Sequence, residues 1–417
     1  MSRCMEPLDI RMVTSIRDVP GTHWDDMVAR GHPFKSSAFL SCLEDSFPER
    51  RFTYVLLSRA RSLVGLALVT EERFDLGLRL PERVGRMASR VRRLLPGFLT
   101  VRLAMVGTLE TAQRHWWVDR RLLSVDEFAD ALLVACEEAC PRADLLVVRD
   151  FMEGDEADAR LEARFLARGF RPARNLPLAV VELEGRDFEA HLQRLKRKPR
   201  ASVSKQLAAA ARLGLKLERV QDFRHLLPEC YPLYLQVHHQ ASEFKRVPIP
   251  MSFFEQVAER LPGESSLLTL RTSEGRLVGF VLSGTSRCVH NPFVLGMDYT
   301  RSRELPIYYS LLGGELAYAA ERGCEQVDLG VTSYFVKQTL GATLEGMSMV
   351  ARLRSPWLRP FLHPLLPALL GEKQPEQRRT LRDTAAPGAQ GAGASGSSTG
   401  TPARRSTRSA LVVSTTP

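Results

Sequence analysis

The chain has 417 residues, 44% of them hydrophobic and 25% charged, a globular balance long enough for two domains of about 150–200 residues and far too long for a small disulfide-stapled scaffold. Net charge is +10, but the excess is local. Residues 79–102 carry seven arginines against Glu82, residues 194–205 carry six lysines or arginines and no acid, and the stretch from Glu372 is again basic, which argues against a general nucleic-acid coat.

In chain order, Phe52 to Val69 reads as a β-hairpin, with two alternating strands around a polar turn and a Leu-Val-Gly65 step. Leu80, Val84, Met87, Val91 and Leu94 fall at helical spacing between Pro81 and Pro96-Gly97, with Arg83, Arg86, Arg90 and Arg93 at the same period. This is a basic amphipathic helix, able to lie on anionic lipid or to pack its apolar stripe on the first domain. Ser124 and Glu127 form a capping box ahead of a helix with Phe128, Leu132, Ala135 and Ala139 on one face, and a strand follows over 145–150. A short helix over 161–168, closed by Gly169, leads to a strand over 178–183, and Asp187 caps the next helix.

The later half repeats this layout. Leu267 to Ser283 is a second hairpin, with Gly279 in the place of Gly65; Pro306 opens a helix over 307–322 closed by Gly323; a strand follows over 326–330. A short helix over 334–340, closed by Gly341, and a strand over 346–353 end the unit. One mixed α/β unit therefore occurs twice, over residues 1–186 and 187–371. The stretch 372–417, rich in Gly, Ala, Ser, Thr and Pro, is expected to be a disordered low-complexity tail.

The order hairpin, strand, helix, strand, short helix, strand resembles the GNAT acyltransferase fold, and its duplication resembles the Fem-type peptidyltransferases; bacterial GNAT-like and FemAB-like acetyltransferases look most similar. The resemblance is carried by Gly296-Met-Asp-Tyr299, Leu305-Pro-Ile-Tyr-Tyr-Ser-Leu-Leu312, Ala320-Glu-Arg-Gly323, Val327-Asp-Leu-Gly330 and Tyr334-Phe-Val-Lys337-Gln-Thr-Leu-Gly341. It implies mixed central sheets and transfer of an acyl or aminoacyl group to an amine, with acyl-CoA (acetyl-CoA) as co-substrate and no metal. One departure is plain: the glycine-rich loop that receives the CoA pyrophosphate in such proteins is replaced by Thr300-Arg-Ser-Arg-Glu-Leu-Pro306. Arg301 and Arg303 are left to hold phosphate through charge-assisted bonds. The first unit has no glycine loop either, and is expected to serve substrate binding or packing.

Amine acylation needs a base, donors for the tetrahedral oxyanion and an acid for the leaving group. In the fold so implied, the reaction lies where the strand ending near Gly296 splays from the one ending near Gly330. Asp298 is the candidate base, against a role as a loop cap, and Tyr299 or Tyr334 the proton donor, against packing. Lys337 can meet a phosphate or an oxyanion, against a solvated lysine on a short helix. Tyr308 and Tyr309 begin the central helix, one toward the core and one toward the donor. Glu315 is expected on a surface, and His238-His239 as structural or substrate-contacting histidines, since no ligand set accompanies them. In similar proteins the loop that carries Lys245 and Arg246 borders the acceptor site, which makes them candidates for an anionic acceptor; Lys198 and Arg200, in the basic run Arg194 to Arg200, suit an acceptor such as a nucleotide-linked sugar or a donor such as aminoacyl-tRNA; as ordinary surface cations none of them needs a role. Ser252 and Glu255 read as a second capping box.

The seven cysteines are scattered without a Cys-x-x-Cys pair, the start lacks a signal-type apolar run, and no uncharged apolar stretch approaches the ~18 residues of a spanning helix. The expectation is a cytoplasmic N-acyltransferase, with peripheral contact to the inner membrane and a small-molecule or glycan-precursor amine as acceptor. An aminoacyl-tRNA donor and a non-catalytic protein of envelope polysaccharide assembly are the rivals.

Overall fold

A computed structural model of the chain describes residues 6–79, 90–94, 97–241, 247–355, 359–382 and 413–416. The first half contributes strands β1 (Asp9–Val13), β2 (Arg51–Arg59), β3 (Ser62–Asp75), β4 (Thr100–Val106), β5 (Trp116–Val118), β6 (Leu145–Met152), β7 (Arg171–Arg174) and β8 (Leu178–Glu182). The second contributes β9 (Lys216–Val220), β10 (Ser265–Arg271), β11 (Leu277–Thr285), β12 (Val289–Met297), β13 (Gln326–Asp328), β14 (Thr343–Glu345) and β15 (Met347–Leu353), with β16 (Val413–Thr416) beyond them.

The repeat is real. β2 and β3 form one hairpin with Gly65 opposite Leu57, and β10 and β11 form the other with Gly279 opposite Leu270. Both glycines sit where a strand passes beneath the helix of its own unit. A Cβ on Gly279 would stand 2.7 Å from Ile307, which excludes a side chain there, while one on Gly65 would be tight at 3.0 Å from Leu57 and 3.3 Å from Phe128. The capping box at Ser124 starts helix Val125–Ala139 as expected, with Phe128, Leu132 and Ala135 buried. The second box does not form: helix Met251–Arg260 begins two residues earlier than Ser252 as a cap would start it, capped by Pro250 without a side-chain bond.

The final strands are exchanged between units. One sheet runs β1-β2-β3-β4-β6-β15-β7, with β5 on β3; the other runs β14-β8-β13-β12-β11-β10-β9-β16. β15 of the second half thus fills the gap between β6 and β7 of the first, and β8 of the first half fills the gap between β13 and β14 of the second. A boundary at residue 186 divides the sequence but not the sheets. A core of aromatic side chains joins the units as well: Phe39 meets Phe253 at 5.6 Å between ring centroids and Phe34 meets Phe293 at 4.7 Å.

The start of the low-complexity stretch departs from the disorder expected of it. Gln338 donates to the Glu376 carbonyl (3.0 Å), Lys196 N–H to the Thr380 carbonyl (2.8 Å), and Leu381 bridges Leu195. Backbone groups of 372–382 find partners in both units, from Arg174 on β7 to Arg194 and Lys196, despite a composition that buries little. Most of the basic amphipathic segment lies outside the described residues. Among the described residues no helix is long and apolar enough to cross a membrane.

Candidate functional site

β12 and β13 are parallel neighbours at only two positions, Val289 opposite Gln326 and His290 opposite Val327. Beyond them the strands part, and a cavity of about 460 Å³ opens between Val294, Leu295 and Tyr299 on one side and Asp328 to Ser333 on the other. The first unit closes it with His32, Glu110, Thr111, Arg149 and Asn175. Thr332 and Ser333, on its wall, hold left-handed φ of 67° and 51°, a conformation costing roughly 1–3 kcal/mol for each such residue and typical of functional turns.

The apex of the splay is fastened by a buried polar network. Glu315, on helix Ile307–Glu321, lies 2.7 Å from Arg219, 2.5 Å from His290 and 2.7 Å from the Ser283 hydroxyl, and all four are buried. His290 in turn meets the Thr285 hydroxyl at 2.8 Å, and Arg219 stacks over the Tyr318 ring. Burial opposes the Glu315 charge, yet Arg219 with His290 and Ser283 outweighs it and brings the carboxyl down to about 2. Glu315 is therefore an interior anchor, which corrects its expected place on a surface.

At the cavity wall, Asp328 from the end of β13 is held from several directions. Its Oδ1 accepts from Gly330 N–H (2.7 Å), its Oδ2 from Gln113 (3.1 Å) and from His32 Nε2 (3.2 Å), and Asn291 donates to its carbonyl (2.7 Å). His32 belongs to the first unit, and local geometry explains its reach. Arg30 and Gly31 turn the chain with φ of 48° and 77°, Pro33–Lys35 makes one 3-10 turn, and Phe34 inserts among Phe39 and Phe293. Gly284 on β11 leaves room for this turn, since a Cβ there would fall 2.8 Å from Pro33 and 2.9 Å from Phe34. Burial lowers the His32 pKa against the pull of Asp328. Beside it, burial brings Lys35 down to about 8 against the attraction of Asp150 and Asp328.

Of the residues singled out from sequence, Tyr299, Tyr308 and Lys337 line the cavity. Lys337 is 4% exposed and donates to the Val331 carbonyl at 2.7 Å, so it is not a solvated lysine. Burial raises the Tyr299 phenol. His238 lines the wall too. Asp298 does not: Arg276 holds its Oδ2 at 2.8 Å and Thr300 supplies N–H and O–H to its Oδ1 at 3.0 and 2.5 Å. It caps a turn, which is the role weighed against that of a base. Tyr334 is likewise buried away from the cavity, its hydroxyl on the Pro177 carbonyl at 2.8 Å. Tyr309 packs on the second unit's core. Arg301 and Arg303 stand on the turn before the central helix, outside the lining. Lys198 is exposed, and Arg200 bonds Gln193 at 2.5 Å; neither reaches the cavity. Lys245 and Arg246 lie outside the described residues.

Sequence reasoning passed over His32, Gln113, Asn291 and the first-unit wall, because nothing local marks them as neighbours of Asp328. Asp328 itself was visible within Val327-Asp-Leu-Gly330.

Residues 197–338 match the sequence family described as acetyltransferase (GNAT) domain. Among curated proteins the chain is 23% identical over 256 residues to "Putative 8-amino-7-oxononanoate synthase 2" of Mycobacterium tuberculosis, a match covering 59% of this chain. The chain spans about a third (32%) of the length of that relative. Among solved structures, FemX superposes with a TM-score of 0.56 at 12% identity, covering 84% of this chain and 99% of FemX. A tandem GNAT protein from the clavulanic acid biosynthesis pathway gives 0.47 at 13% identity, covering 84% and 99%.

Proposed function

Starting from a GNAT-superfamily, FemAB-like fold of two tandem units, we propose that the protein is an N-acyltransferase that moves an acyl group from an acyl-CoA thioester to an amine. The observation that carries this reading is the cavity at the parting of β12 and β13, walled by Lys337, Tyr299 and Tyr308. An open wedge between two parallel strands exposes main-chain groups that a donor's amide-bearing arm can pair with. To Lys337, a buried lysine on the wall, we assign the hydrogen bond to the oxyanion of a tetrahedral intermediate. Val281, Leu295 and Leu312 give the donor an apolar seat, and His32, Glu110, Thr111, Arg149 and Asn175 of the first unit give the acceptor a polar one. Arg301 and Arg303, on the turn before the central helix, are the groups we assign to the donor's phosphates.

The test is direct. Purified protein is incubated with short acyl-CoA thioesters and a panel of primary amines, and released thiol and acylated amine are measured together. Matched release of both, saturable in each substrate, supports the reading. A parallel arm with charged tRNA decides the donor: transfer there and none from thioesters replaces acyl-CoA by aminoacyl-tRNA, and no transfer in either arm removes the enzymatic reading.

A further inference from the structure

We propose that His32 is the base that takes the acceptor amine's proton, and that Asp328 is the positioning residue that sets its ring. This rests on the acyl-transfer reading above and deepens it by assigning the proton.

His32 and Asp328 come from different units, 296 residues apart, and meet on the cavity wall. A carboxylate only accepts hydrogen bonds. Asp328 already takes them from Gly330 N–H and Gln113, so the contact from His32 Nε2 places the ring proton on that nitrogen. The lone pair then lies on Nδ1, which is buried and has no side-chain hydrogen-bond partner among the described residues, with only the ring's own backbone carbonyl beside it. A buried acceptor left without a side-chain partner is disfavoured, and a catalytic role is one of the reasons such a group is kept. The ring is 8% exposed and lines the cavity. The charged or titratable groups around it are Asp328, which favours its protonation, and Lys35, which opposes it; His115 lies within the same buried cluster. With burial added, the ring is held below its ordinary pKa and is neutral at neutral pH, the form that can accept a proton.

In the step so assigned, the neutral amine's lone pair forms the C–N bond to the thioester carbon, and the carbonyl π pair moves to oxygen beside Lys337. The proton leaves nitrogen for His32 Nδ1. The oxyanion re-forms the carbonyl, the C–S bond breaks with its pair going to sulfur, and the imidazolium returns its proton to solvent. The products are amide, thiolate and one proton. Because the base comes from one unit and its anchor from the other, the site is complete only when the two units are docked.

Two variants of the full chain test this. His32→Gln is expected to lower kcat by about a hundredfold or more while both KM values stay within about threefold and donor binding by calorimetry is unchanged. Asp328→Asn, which can donate toward the ring, is expected to lower kcat and to move the ring proton from Nε2 to Nδ1, read by nitrogen-15 NMR of histidine-labelled protein. A wild-type enzyme that transfers while His32→Gln keeps its rate leaves the acyl-transfer reading standing and removes the base. A wild-type His32 found protonated on Nδ1 also overturns the proposal, whatever the activity. Should His32→Gln fail to fold by circular dichroism, Asp328→Asn decides: an unchanged rate and tautomer sinks it. A wild type that transfers no group from thioester or charged tRNA removes both readings together.

Discussion

His290 Nε2 and Glu315 Oε2 meet 2.5 Å apart, at one of the two positions where β12 and β13 are still paired. The cavity begins just past this contact, so its shape depends on a network whose residues are not among its lining. Glu315→Gln would leave Arg219 buried without its counter-charge, and breaking one side of a buried pair typically costs about 3–5 kcal/mol. Urea denaturation should show a loss of that size. The acid dependence has a defined sign. A carboxyl held at about 2 when folded, against an ordinary 4.5, contributes stability that is full above about 4.5 and is lost as pH falls toward about 2. The variant should lose much less stability across that window.

Lys337→Ala should depress transfer by about 10²–10³ in kcat, the usual effect of deleting an oxyanion donor. Lys337→Arg should recover little, since the fork does not fit the place of a point charge bonded to the Val331 carbonyl. Single-turnover acyl transfer from saturating donor separates this loss from weakened binding.

Asp298→Ala should behave otherwise. Its carboxylate secures Thr300 and Arg276, so the variant is expected to lose about 1–2 kcal/mol of stability and to keep the wild-type pH dependence of kcat. A loss in the range of a missing general base, about 10²–10⁴, would restore the role first expected of it.

Gly284→Val adds methyl groups to a Cβ that would by itself already stand within 3 Å of Pro33 and Phe34. Overpacking of this kind costs about 1–3 kcal/mol, and it would lift the 33–35 turn that carries His32. Thermal melts should record a lowered Tm, and transfer should fall further than the melt alone explains.

Neither half should fold alone. Residues 1–186 lack β15 and carry a stray β8, which leaves unpaired edges on both sides of the gap. Circular dichroism of each half should show loose, ANS-binding chains, and mixing the halves should restore the far-ultraviolet spectrum. Full-length protein should unfold in one transition, coincident by fluorescence and circular dichroism.

Much of this molecule is legible in its sequence. The two hairpins, the Ser124 box, the matched glycines at 65 and 279 and the interest of Lys337 all rest on local spacing, and local spacing is what periodicity reports. The exchange of β8 and β15 is different, because alternation fixes which face of a strand is buried and not which strand lies beside it. His32 meeting Asp328 is a tertiary coincidence of the same sort. Glu315 is another matter: Leu311, Leu312, Leu316 and Ala319 surround it on a helix apolar on every side, and such a helix belongs in a core. Its burial is legible in that pattern, against the commoner fate of a carboxylate on a surface.

The exchanged strands also set a timetable for synthesis. As the chain leaves the ribosome, the first sheet has an open seam between β6 and β7 until residues 347–353 emerge. Its β8 meanwhile waits for partners in β13 and β14 that have yet to be translated. Such long-range closure slows folding and leaves apolar edges uncovered in the interval. A nascent chain stalled before β15 should therefore be held by chaperones and cut readily by proteases, and both should release it once the last strand is in place.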